Sequence, residues 1–275
     1  MVQDLIITAE QEWLGRAYAY CRECFRDITL PSHDERHHLR TWHHARELLT
    51  AAQAPFSPPG GDGIKALLLA CLLHDTGMSE TLSPAHGAAS RRLAERFFST
   101  LPEAPPLQEE ILTAIEKHDD KTYRQKISGD TPAGRIFTLL AVADDLDAFG
   151  YTGVCRYYEI YSLRHIPLTA MAGKVPENLE KRFGNMQPLL SSSPALLQHH
   201  RQRYLITRNF FEDLAGRKKE EALTVIRFLE DLLKDPPHEI SRELDTAISG
   251  TEDAYLKKFL SGWRKEMEEH NTPAP

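Results

Sequence analysis

At 275 residues and 31.3 kDa the chain is long enough for one large domain or two small ones around a buried core. A hydrophobic share of 41% beside a charged share of 27% excludes a disordered segment and a fibre. The net charge of −7, with Lys and Arg scattered rather than gathered in a tract, argues against a nucleic-acid polymer as partner. The longest uncharged apolar stretch, Ala66 to Leu73, is far short of the roughly 20 residues of a membrane helix, so no membrane span is expected. The opening MVQDLIITAEQEW carries acids where a secretory signal carries Lys or Arg, and a cytoplasmic address is the expectation. Four cysteines make no disulfide framework, and Cys21-x-x-Cys24 lacks the second CxxC of a zinc site.

Apolar residues recur at steps of three and four almost throughout, so the fold class expected is all-α. Leu14, Ala17, Tyr18, Cys21 and Phe25 form one face of a first helix, and Leu39, Trp42, Ala45, Leu48, Leu49 and Ala52 one face of a second. Ala54 to Gly63, with Pro58-Pro59-Gly60-Gly61, reads as a loop. Ile64 to Leu73 is apolar on nearly every side, as a central core helix is. Further helices are expected at Ala85 to Ser99, Leu107 to Lys117 and about Ala133 to Phe149, each after a proline suited to a first helical turn. Tyr151 to Arg164, Pro194 to Leu214, Lys219 to Leu233 and Tyr255 to Glu269 complete the set. Ser191-Ser192-Ser193 and Asp235-Pro236-Pro237 are breaks.

Thirteen histidines are present, five of them between His33 and His44. Of the three His-Asp dipeptides, only His74-Asp75 follows an apolar helix, with Thr76-Gly77 to end it. A charged pair at the buried end of a core helix needs compensation, and a divalent cation supplies it. Neighbouring helical residues point about 100° apart, so both reach one ion only where the helix terminates. Upstream, His37 lies on the flank opposite Leu39 and Trp42, with His33 and His38 close by and Arg40 a turn further on. Downstream, Asp144, Asp145 and Asp147 end an apolar helix. His37, His74, Asp75 and Asp144 form a two-imidazole, two-carboxylate set suited to a first-row transition metal or Mg²⁺. His43, His44, His199 and His200 are expected on exposed helix faces, and Cys71 and Cys155 as packing residues.

In order along the chain stand His33-Asp34-x-x-His37-x-x-Arg40-x-Trp42, Leu72-Leu73-His74-Asp75, Ala114-Ile115-x-x-His118 and Ala143-Asp144-x-Leu146-Asp147-Ala148-x-Gly150-x-x-Gly153-x-x-Arg156. This series resembles the HD superfamily of metal-dependent phosphohydrolases, in particular a bacterial subgroup, over roughly residues 20 to 216. The resemblance implies an HD-domain helical bundle with additional C-terminal helices. It selects His37 over His33 and His38, and Asp144 over Asp145 and Asp147, as ligands. Met78 stands where many relatives carry lysine, so no role of that lysine transfers. Two-metal HD proteins take two further histidines from the interval occupied here by His86 and His118. Because His86 lies only 11 residues past Asp75, one ion per chain is the expectation, Mn, Mg, Ni, Fe or similar.

The expected chemistry is hydrolysis of a small phosphate ester or anhydride, a nucleotide foremost, by a hydroxide that the ion generates and aims at phosphorus. His118 is expected to protonate the leaving oxygen, and Arg40 and Lys121 to hold non-bridging oxygens. The rivals are a di-iron oxygenase, which needs both His86 and His118 as ligands, and a catalytically silent nucleotide-binding regulatory domain. Residues 1–216 are read as the helical body, with the metal-site core at about 30–156. Residues 217–275 read as an amphipathic helical extension that packs on the same body or forms a homodimer interface.

Overall fold

The computed structural model describes residues 1–28, 30–51, 60–83, 85–120, 124, 126, 130–216, 218–237 and 239–270. Ala52 and the greater part of the loop read at 54–63 lie outside the described residues. Among the described residues every regular element is a helix, there is no strand, and no helix is long and apolar enough to cross a membrane. The chain divides into two compact units: Met1–Ile28, His33–Leu146 and Met186–Leu196 in the first, and Thr29–Ser32, Asp147–Asn185 and Leu197–Pro275 in the second. The boundary expected at 216/217 falls inside the second unit.

In the first unit, α1 (Val2–Ala9) passes through a π-helical turn (Glu10–Leu14) into α2 (Gly15–Cys24). Helical structure thus begins well before Leu14, and Ile6, Ala9, Trp13, Ala17 and Cys21 are buried along its length. α3 (Glu35–Ala51) is tied to this segment by a buried acid: Glu10 Oε1 accepts from Trp42 Nε1 at 2.8 Å and lies 3.3 Å from Arg46 Nη1. α4 (Gly61–Leu73) is the centre of the unit. Ile64 and every residue from Ala66 to Leu73 are fully buried, and α1, α2, α3, the π-helical turn and a later helix, α6 (Gln108–Lys117), all pack on it. The apolar character on all sides of this stretch has that physical cause: no side of it faces water.

α5 (His86–Ser99) and α7 (Pro132–Asp147) complete the first unit's helical framework. Thr131 Oγ1 accepts from Gly134 N at 3.0 Å, an N-cap with proline in the first helical position behind it.

The second unit contains α8 (Gly150–Leu163), α11 (Lys219–Lys234), α12 (Ile240–Gly250) and α13 (Ala254–His270), with most of α9 (Leu168–Leu190) and α10 (Pro194–Ala215). α9 and α12 are absent from the helices expected from sequence. Pro176 and Pro188 interrupt the α9 pattern, yet Met171, Val175 and Leu179 keep a buried four-residue step past the first of them. α13 supplies a cap to α8. The buried Glu266 accepts from Tyr151 N at 3.0 Å and from Thr152 N at 2.9 Å, beside Gly150, whose φ is +81°. Glu266→Ala strands both donors and destabilises the second unit by about 1–3 kcal/mol, read as a lower urea midpoint with helical content otherwise kept.

Candidate metal centre

Local structure brings six side chains of the first unit together. α4 ends at Leu73, His74 caps it, and Asp75 leaves the helical conformation at φ −109°, ψ 10°. A 3₁₀ turn (Thr76–Ser79) follows, held by Thr76 Oγ1 donating to the Leu73 carbonyl at 2.8 Å. This termination lets adjacent residues face one place. His37 comes from the first turn of α3 and Asp144 from the last turn of α7. His86 is the first residue of α5, and His118 caps α6.

His37, His74, Asp75 and Asp144, expected as one set, offer ligand atoms that all lie within 4.8 Å of one another. His37 Nε2 lies 3.1 Å from His74 Nε2, 3.4 Å from Asp75 Oδ2 and 3.5 Å from Asp144 Oδ1. Asp75, His86 and His118 form a second set with the same mutual reach. Asp75 Oδ1 lies 3.3 Å from His86 Nε2 and 3.1 Å from His118 Nε2. One carboxylate therefore divides its oxygens: Oδ2 faces the first set and Oδ1 the second. Where a single ion is the expectation from sequence, the geometry offers two ligand sets.

The imidazoles are oriented for donation to a cation. Nδ1 of His74 lies 3.0 Å from the Cys71 carbonyl, Nδ1 of His86 3.0 Å from the Ser83 carbonyl, and Nδ1 of His118 2.7 Å from the Ile115 carbonyl. In each the N–H is on Nδ1 in the neutral ring, which leaves the Nε2 lone pair turned to the cluster. His86 Nε2 and His118 Nε2 then face each other at 3.3 Å. Asp75 Oδ1 is buried and makes no hydrogen bond of sound geometry. Facing lone pairs and a buried carboxylate oxygen without a proton fit a divalent cation, which imidazole and carboxylate together suit.

Without a cation, protons take over part of this compensation. Burial works against charge on His118, but the Asp75 carboxylate outweighs it and pushes the imidazole up to about 9, and His86 is raised by the same balance. Burial opposes ionisation of Asp75 as well, yet His74, His118 and His37 hold its carboxyl well below the usual range. His74 is lowered by burial. If His118 holds an ion, binding must expel its proton, and affinity for Mn²⁺ is then expected to rise with pH up to about 9, by as much as about tenfold per unit, and to fall towards pH 6. Titrations in buffers of different ionisation heat measure the released protons directly.

The neighbouring candidates are placed elsewhere. Asp145 Oδ2 pairs with Arg124 Nη1 at 2.9 Å, and in the second unit Asp147 Oδ2 pairs with Arg156 Nη1 at 2.5 Å; of the three clustered acids, Asp144 is the one at the histidines. His38 is fully buried, its ring 5.1 Å from that of His74, and burial holds it well below the ordinary histidine range. His33 is buried with its ring 5.7 Å from that of His37. Arg40 is buried one turn past His37; burial pushes the Asp34 carboxyl up to about 6 against the pull of Arg40 and Arg36. Lys121 lies outside the described residues. His43 and His199 are partly or well exposed as expected, but His44 and His200 are buried, a correction to the exposed-face reading. His44 Nδ1 lies 2.9 Å from Glu47 Oε2, one helical turn away, which makes its burial tolerable.

The buried His/Asp cluster at the end of the central helix offers groups that could hold a metal ion. Residues 35–149 match the family model of the HD domain, so this segment is similar to an HD domain. HD domains bind divalent metal ions, and most are metal-dependent phosphohydrolases. No curated protein and no solved structure matched the chain.

Proposed function

We propose that the protein is a metal-dependent phosphohydrolase acting on a small phosphate ester or anhydride, with nucleotides as the foremost substrate class. The observation that carries this reading is the division of the Asp75 oxygens between two histidine sets whose Nε2 atoms converge on it. His37, His74, Asp75 and Asp144 would hold one ion, and Asp75, His86 and His118 a second. A bound divalent cation supplies a water of lowered pKa and neutralises charge on phosphoryl oxygens. The chain's own part is orientation: the Cys71, Ser83 and Ile115 carbonyls fix three imidazoles in one tautomer, and burial excludes bulk water from Asp75. His118 Nδ1 faces the Ile115 carbonyl and Nε2 the Asp75 carboxylate, so the role assigned to it is ligand rather than leaving-group acid. Arg40 is assigned to a non-bridging phosphoryl oxygen. The net charge of −7 supports a small substrate over a polymer.

The test is phosphate release from a panel of nucleoside mono-, di- and triphosphates and other small phosphate esters, using metal-stripped protein reloaded with Mn²⁺, Mg²⁺, Ni²⁺ or Fe²⁺. Turnover that needs the added ion supports the reading. Full metal uptake with no release from any member overturns it. The assembled His86 and His118 also satisfy the ligand requirement of a di-iron oxygenase, and oxygen uptake by Fe²⁺-loaded protein in the same panel separates that second reading.

A further inference from the structure

Ten residues separate Asp75 from His86, and two glycines make so short a return possible. Gly77, in the 3₁₀ turn, donates its N–H to Ser90 Oγ at 2.8 Å. A Cβ on Gly77 would lie 2.2 Å from the His86 carbonyl oxygen and 2.4 Å from Ser90 N. Gly87, the residue after His86, faces the last turn of α6. A Cβ there would lie 2.5 Å from the Glu116 carbonyl oxygen and 3.3 Å from its carbon. Both obstacles are backbone, which has no alternative rotamer.

The Gly87 contact joins the two elements that carry the second ligand set. His86 precedes Gly87 directly, and the Ile115 carbonyl that orients His118 belongs to the same turn as Glu116. Ordinary contact begins at 3.4 Å, so one added methyl would drive α5 and α6 apart by roughly 1 Å. Metal–ligand distances tolerate only about 0.2 Å. His37, His74 and Asp144 lie on other elements.

We infer that Gly87 is a positioning residue for the Asp75, His86 and His118 set, supported by Gly77 and Ser90, and that it governs how many ions the chain holds. The inference rests on the two-set reading proposed above. Wild type and Gly87→Ala, both stripped of metal, are titrated with Mn²⁺ alone; bound ion is counted after equilibrium dialysis and coupling is read by electron paramagnetic resonance. Wild type is expected to take up two ions with the spin-coupled spectrum of a carboxylate-bridged pair. Gly87→Ala is expected to keep the tighter ion within about threefold of wild-type affinity, lose at least about tenfold at the weaker one, and give an uncoupled spectrum. Two ions at wild-type affinities in Gly87→Ala overturn the inference alone, as does loss of both ions from a folded variant. A single ion in wild type overturns the two-set reading and the inference with it. If Gly87→Ala does not fold, Ser90→Ala, which breaks the bond to Gly77 without adding an atom, is titrated instead; selective loss of the weaker ion supports the inference and an unchanged weaker site overturns it.

Discussion

Asp75→Ala is expected to empty both ligand sets at once. The carboxylate is the one group common to them, with Oδ2 3.4 Å from His37 Nε2 and Oδ1 3.1 Å from His118 Nε2. Removing it leaves His37, His74 and Asp144 for one ion and two imidazoles for the other. Retained metal, measured after dialysis against a weak chelator, falls from two ions to a residue of weakly held ion. Hydrolysis falls by about 10³ or more, since charge neutralisation at phosphorus is worth several kcal/mol. Helical content measured by circular dichroism is unchanged, because Asp75 sits beyond the end of α4 rather than within it. Metal retention at wild-type level, or activity within about tenfold of wild type, overturns the assignment of Asp75.

His118→Ala separates ligand from acid. As a ligand of the second set, its loss lowers metal content by one ion and leaves the first set's affinity within about threefold, since His37, His74, Asp75 and Asp144 all remain. The turnover number falls by about 10² to 10⁴. If instead both ions stay bound while turnover falls by the same factor, His118 is the proton donor expected from sequence. The pH profile divides the same two cases: with His118 gone, the dependence of metal uptake on the group titrating at about 9 disappears from the second ion only.

Much of the site was legible along the chain because its signals are local. An apolar run from Ile64 to Leu73 can only be a buried helix, and a His-Asp pair at its end, closed by Thr76-Gly77, is a charge that burial must compensate. Asp144 was legible for the same reason, an acid closing the apolar Ile136–Ala143 stretch. Its separation from Asp145 and Asp147 needed the family pattern; the structure adds the cause, that those two acids are engaged by Arg124 and Arg156. Arg124 stands 21 residues from its partner, and no helical periodicity carries that pairing.

The misplaced elements have one cause each. α9 was hidden because proline is read as punctuation, although its buried four-residue step runs past Pro176. α12 has few apolar residues, with Ile240 and Leu244 the two that are buried, too few to form a stripe. His44 and His200 looked like exposed polar residues because burial of a histidine depends on what packs over it.

Sequence by itself determined the residue types, the helical class, and the order in which the candidate ligands occur, because these follow from composition and from steps of three and four residues along one helix. The tertiary structure decided that Asp75 serves two sets, that His86 reaches it across only ten residues, and that Glu266 caps a helix 115 residues upstream. Those outcomes depend on how closely separate helices approach. That distance is set by the absence of a side chain at Gly77 and Gly87 and by backbone carbonyls that turn each imidazole, and spacing along the chain does not contain it.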